Sequence, residues 1–167
     1  PVIIYDIPGR TGVGISNETV ARLRKDLPTK IIGIKEATGN VDRVSQLRAL
    51  LDDDFCILSG DDCLTLPMMS VGANGVISVA ANILPGEVVS LVRAAVAGDL
   101  KQASRIHTTL FPIFKDLFLE TNPIPIKAAL AMKKHIEEIY RLPLSSMSAV
   151  HRAQLRKTLM RVGYLSV

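Results

Sequence analysis

Ile31-Ile32-Gly33-Ile34-Lys35-Glu36-Ala37 is the stretch on which the reading of this chain turns. Its first four residues suit a buried strand, and the fifth is a compact, strongly hydrated ammonium. Lysine is almost never fully buried unless it is paired. Burial disfavours the ammonium form of a lysine and leaves more of the neutral amine. A neutral amine attacks ketones and aldehydes to give a Schiff base. The same run also fits a lysine at a strand's end whose stem covers apolar surface while its head stays in water. Read alone, the run leaves both uses open.

Working outward, three more short apolar runs recur: Val2 to Tyr5, Phe55 to Leu58 and Gly75 to Val79. In chain order the four runs start 29, 24 and 20 residues apart (31 − 2, 55 − 31, 75 − 55), so each gap has room for a helix. Ser16 is a candidate N-cap for a helix carrying Val20 and Leu23, which ends before Pro28. Asn40 precedes Val41, Val44, Leu47 and Leu50, the spacing of an amphipathic helix. Asp61 or Asp62 is placed to cap a helix carrying Leu66 and Met69. Strands alternating with helices imply βαβ units and a parallel sheet.

Beyond Val79 the pattern is helical only. One helix is expected from Pro85 to near Gly98, and a second from about Leu100 through Ile113 towards Leu119. Asn122-Pro123-Ile124-Pro125 breaks the pattern, which resumes over Ile126 to Met132. A linker follows at Arg141-Leu142-Pro143-Leu144, and Ser148 caps a last helix ending near Gly163. The expected division is therefore residues 1–84, four βα units, and residues 85–167, a closing helix and a helical region.

The totals suit a packed globular chain: 167 residues, 48% hydrophobic, mean hydropathy +0.29. The net charge of +4 is local, because no acidic residue follows Glu138 while Arg141, Arg152, Arg156, Lys157 and Arg161 do. Without aromatic residues interleaved among these cations there is no stacking platform, so nucleic acid is not an expected partner. No stretch approaches the roughly 18 unbroken apolar residues of a membrane span, and no signal-peptide pattern opens the chain. Cys56 and Cys63 have neither metal nor redox spacing and read as reduced packing residues of a cytosolic protein. His107, His135 and His151 lack ligand spacing. The chain opens at Pro1 directly into an apolar run, and the expectation is a piece of something longer.

The polar and glycine-bearing segments Asp6 to Gly12, Lys35 to Gly39, Ser59 to Asp62 and Ser78 to Asn82 each follow the C-terminal end of a run. A (β/α)₈ barrel builds its active site there. An open dinucleotide-binding sheet needs G-x-G-x-x-G, and Gly12-Val13-Gly14 lacks the third glycine. Taken together, Tyr5-Asp6-Ile7-Pro8-Gly9-Arg10-Thr11-Gly12, Gly33-Ile34-Lys35-Glu36-Ala37-Thr38-Gly39-Asn40, Ser59-Gly60-Asp61-Asp62 and Gly75-Val76-Ile77-Ser78 closely resemble the class I pyruvate-dependent aldolases of the dihydrodipicolinate synthase and N-acetylneuraminate lyase family. Asn122-Pro123-Ile124-Pro125-Ile126-Lys127 and Arg141-Leu142-Pro143 extend the resemblance along nearly the whole chain.

The resemblance implies a (β/α)₈ TIM barrel, of which this chain holds the last four βα units and the helical tail. It implies Lys35 as the Schiff-base lysine and Tyr5 as its proton relay. Arg10 falls where the family's arginine meets the carboxylate of the aldehyde substrate, a task suited to a planar guanidinium. Gly60 and Ile77 fall where backbone groups line the pyruvate pocket. The details favour the branch that condenses pyruvate with aspartate 4-semialdehyde, as a homo-oligomer. A sialic acid or 2-keto-3-deoxy sugar acid lyase is the alternative within the family, and a non-catalytic fragment the alternative outside it. No cofactor or metal is implied, because the protonated imine is itself the electron sink. Two departures stand out: Asp6 where Asn is commoner, and Gly9 where Ser is common, both bearing on the loop that presents Arg10. The family's relay also uses a threonine from the barrel's first half and a tyrosine of a neighbouring subunit. Neither has a counterpart here, and Thr11 and Thr38 do not replace them.

Overall fold

The protein is described here by a computed structural model covering residues 1–166. Four strands, β1 (Val2–Asp6), β2 (Ile31–Glu36), β3 (Cys56–Ser59) and β4 (Gly75–Val76), form one sheet in the order β1-β2-β3-β4. All three pairings are parallel. The connections carry a one-turn helix α1 (Pro8–Thr11), then α2 (Asn17–Asp26), α3 (Val41–Leu50) and α4 (Thr65–Ser70). Helices α5 (Pro85–Val96), α6 (Leu100–Asp116), α7 (Ile124–Met132) and α8 (Ala149–Arg161) follow.

The expected caps do form. Ser16 Oγ accepts from the Thr19 amide at 3.2 Å and Asn40 Oδ1 from the Asp42 amide at 3.0 Å, satisfying donors that open every helix. Of the two candidate aspartates it is Asp61 that caps, accepting from the Cys63 amide at 2.7 Å at the head of a short 3₁₀ turn, while Asp62 is buried. Three local expectations need correction. The run Gly75 to Val79 is a strand only over Gly75–Val76. α7 begins at Ile124, with Pro125 inside its first turn, where a missing N–H and a fixed φ cost nothing. α6 ends at Asp116, short of Leu119.

Contacts divide the chain into two compact units, residues 1–78 with 92–99, and residues 79–91 with 100–167. In the first, strand alternation decides the core. Ile34 and Ile57 project from one side of the sheet into a buried cluster with Val20 of α2, Val44 and Leu47 of α3, and Met68 of α4. In the second, α8 packs on α6 and α7, burying Leu155 and Leu159 completely. No helix among the described residues is long and apolar enough to cross a membrane.

Candidate active site

The side of the sheet opposite the core cluster carries the residues of interest. Tyr5 and Lys35 are register partners on β1 and β2, one residue on from Ile4 and Ile34, so both point away from the core. The Lys35 Nζ stands 3.9 Å from the centroid of the Tyr5 ring. Lys35 is half-buried and Tyr5 is 47% exposed. The Lys35 side chain therefore has the Tyr5 ring face on one side.

Beyond the strand ends the parallel ladder continues, with Ala37 donating to the Asp6 carbonyl at 3.0 Å, Gly60 to the Glu36 carbonyl at 2.7 Å and Ile77 to the Ser59 carbonyl at 2.9 Å. These bonds bring Gly60 and Ile77 to the same C-terminal end of the sheet as Tyr5 and Lys35. Gly60 is needed here for its size. A Cβ at this position would lie 2.6 Å from Ala37 Cβ and 3.2 Å from Lys35 Cε, so any side chain would press on the lysine stem. Ile77 is 42% exposed.

Arg10 lies on α1, immediately after β1, where the sequence alone gave no helix. The turn opens with Pro8 and closes at Gly12, whose φ of +71° lets its amide reach the Pro8 carbonyl at 2.9 Å. Thr11 and Thr38 are occupied locally. Thr11 Oγ1 donates to the Val13 carbonyl at 2.7 Å, and the Thr38 amide donates to Glu36 Oε1 at 2.6 Å. Cys56 is a free thiol, and burial pushes it up, towards the unreactive protonated form.

The sequence matches the dihydrodipicolinate synthetase family over residues 1–162. The chain belongs to that family. Among curated family members, the 4-hydroxy-tetrahydrodipicolinate synthase of Sulfurihydrogenibium sp. (strain YO3AOP1) is 52% identical over 162 residues, covering 96% of this chain and 55% of the relative. The solved 4-hydroxy-tetrahydrodipicolinate synthase of Methylacidiphilum fumariolicum SolV superposes with a TM-score of 0.96 at 49% identity, covering 98% of this chain and 54% of that one. Dihydrodipicolinate synthase from Aquifex aeolicus gives 0.96 at 48% identity. The Acinetobacter baumannii synthase, at 40% identity and a TM-score of 0.94, was solved complexed with pyruvate. The chain spans about half the length of these family members, and its four βα units are units of their (β/α)₈ barrel.

The fold also brings together three side chains whose meeting local sequence reading did not anticipate. Asp6, Glu36 and Arg43 are buried together behind the Tyr5–Lys35 pair, with Arg43 Nη1 2.5 Å from Asp6 Oδ2 and 2.8 Å from Glu36 Oε2. A signal for them exists. Each carboxylate directly follows a candidate site residue, so alternation turns it towards the helices, where a buried carboxylate needs a cation. Arg43 adjoins Val44 on the inward face of α3.

Proposed function

We propose that the protein carrying this chain is a 4-hydroxy-tetrahydrodipicolinate synthase, a Schiff-base lyase condensing pyruvate with aspartate 4-semialdehyde on the diaminopimelate route to lysine. The observation that supports this best is the Lys35 amine standing against the Tyr5 ring on the sheet face turned away from the core. Lys35 attacks the pyruvate ketone and water leaves, giving an imine. Loss of a methyl proton gives the enamine, whose carbon attacks the aldehyde. The amine of the second substrate then displaces Lys35, closing the ring and freeing the enzyme. Tyr5 carries protons to and from the Lys35 nitrogen. Arg10 receives the carboxylate of the aldehyde substrate through a charge-assisted hydrogen bond. The amides of Gly60 and Ile77 are engaged in the ladder, so these residues offer the pyruvate pocket carbonyl oxygens, which can accept from the Lys35 nitrogen or the hydroxyl of the addition intermediate but not bind the carboxylate. In this reading residues 1–84 supply the last four strands of the barrel, and the protein works in the cytosol as a homo-oligomer without cofactor or metal.

The test is covalent trapping in the complete protein. Pyruvate with borohydride is expected to add one reduced pyruvyl group to the Lys35 peptide, read by mass. Labelling of a different lysine would refute the assignment. Both branches of the family form this adduct, so the aldehyde is varied next. Turnover with N-acetylmannosamine in place of aspartate 4-semialdehyde would move the protein to the lyase branch.

A further inference from the structure

Arg43 is 8% exposed and every nitrogen of its guanidinium is used. Nε donates to Asn17 Oδ1 at 2.9 Å, Nη1 to Asp6 Oδ2 at 2.5 Å, and Nη2 to the Ile15 carbonyl at 2.7 Å. Nη1 also lies 2.8 Å from Glu36 Oε2, an ion contact without hydrogen-bond alignment. Asp6 and Glu36, 2% and 0% exposed, are register partners one step beyond Tyr5 and Lys35. One cation thus ties the ends of β1 and β2 together from the core side.

The same group fixes a third element. The Ile15 amide donates to Asp6 Oδ2 at 3.2 Å while its carbonyl accepts from Arg43, so both backbone polar groups of this one residue are held by one ion pair. Residues 7–14, which carry Arg10, leave the sheet at Asp6 and return at Ile15. Both ends of that loop are therefore pinned at a single buried point. Lys35 does not depend on this point in the same way. It sits within a strand paired on both sides, with Tyr5 on one and Leu58 on the other.

We propose that Arg43 is a positioning residue for the second substrate. By bridging Asp6 and Glu36 and clasping Ile15, it sets where Arg10 stands relative to Lys35. The role rests on the aldolase reading given above. A lysine at this position keeps the charge but cannot donate in a fork to three partners at once. The discriminating measurement is therefore a comparison of half-reactions in the complete protein, followed by a double-mutant cycle. Arg43→Lys is expected to raise KM for aspartate 4-semialdehyde about tenfold while pyruvyl labelling of Lys35 changes less than about twofold. In an Arg10→Ala background, Arg43→Lys is expected to change that KM no further, because the two residues act as one unit. Equal losses in both half-reactions, or additive effects with Arg10→Ala, would reduce Arg43 to a structural ion pair. Should Arg43→Lys fail to fold, Asn17→Ala withdraws the Nε acceptor, along with an exposed bond from Asn17 Nδ2 to Gln46 Oε1, and is expected to give the same split at about threefold while Gln46→Ala gives none; no split in Asn17→Ala overturns the proposal. Exchange of the Ile15 amide separates this inference from the aldolase reading. If wild type takes no label at Lys35, that reading falls, while the clasp still requires exchange about tenfold faster in Arg43→Lys. Unchanged exchange would overturn the clasp itself.

Discussion

The sheet-bearing unit and the helical unit treat their buried polar groups differently. In the first, Asp6 and Glu36 both face Arg43, and each follows a residue, Tyr5 or Lys35, that faces the opposite side of the sheet. In the second, Asp116 accepts from Gln154 at 2.9 Å and Thr158 at 2.6 Å, but the Nδ1 of His107 is buried without a hydrogen-bond partner among the described residues. A strand assigns alternate residues to opposite sides, so chemistry and support can occupy neighbouring positions in the chain. A helix sorts its residues into stripes recurring every three to four positions. The sheet unit is therefore where a single substitution should separate catalysis from stability, and the helical unit where substitutions act on stability alone.

The strongest challenge to that contrast is Lys35→Arg. It is expected to abolish pyruvyl labelling and turnover in the complete protein while shifting stability by less than about 1 kcal/mol, since a guanidinium stays protonated and cannot attack a ketone. A melting curve alongside the trapping assay checks both halves. Residues 1–167 expressed alone provide a second, equally severe test. β1 and β4 end the sheet, and Val2, Ile3 and Tyr5 are exposed on β1. Unpaired edges and exposed apolar surface drive association, so no condensation activity is expected, with sizing showing aggregates or paired chains. A soluble monomer with full turnover would mean that the working unit lies entirely within these residues.

One position earlier the result should invert. Ile34 is fully buried in the core cluster, and Ile34→Ala is expected to cost about 2–5 kcal/mol in denaturant unfolding, with labelling of Lys35 retained in the molecules that fold. Arg10→Ala should be milder and act on one substrate only. Loss of a charge-assisted carboxylate contact, about 1.5–3 kcal/mol, lowers kcat/KM for the aldehyde roughly 10- to 100-fold while leaving imine formation intact.

The smallest expected effect belongs to the helical unit. Burial lowers the His107 pKa from its usual 6.5, so the folded form binds its proton less readily than the unfolded chain. Stability from this group is complete above the unfolded value and is lost as pH falls below about 6.5, the direction in which the unfolded state takes up more protons. His107→Phe should flatten that part of a stability-against-pH curve and leave pyruvyl labelling of Lys35 unchanged.

Most of the fold was legible in the chain itself, because its signals are local. The strand runs, the Ser16 and Asn40 caps and the amphipathic pattern of α3 are each set within about ten residues by alternation, capping and helical period. Lys35 stood out in the same way, as a cation closing an apolar run. Boundaries were less legible where one residue serves two structures, as with Pro125, which reads as a breaker but fits a first helical turn. The one-turn helix under Arg10 was too short to give a periodic signal.

The link between Asp6 and Arg43 spans 37 residues, and that between Arg43 and the Ile15 carbonyl spans 28. No local pattern states that one guanidinium will meet two strand ends and a loop. That depends on the β1–β2 register, which sets Asp6 beside Glu36, and on the rotation of α3, which turns Arg43 inward with Val44 and Leu47. The sequence determined which residues were available, through short-range propensities. Only the tertiary structure decided which of them meet, because the energy of a buried ion pair depends on distances and exclusion of water that arise when separate elements pack.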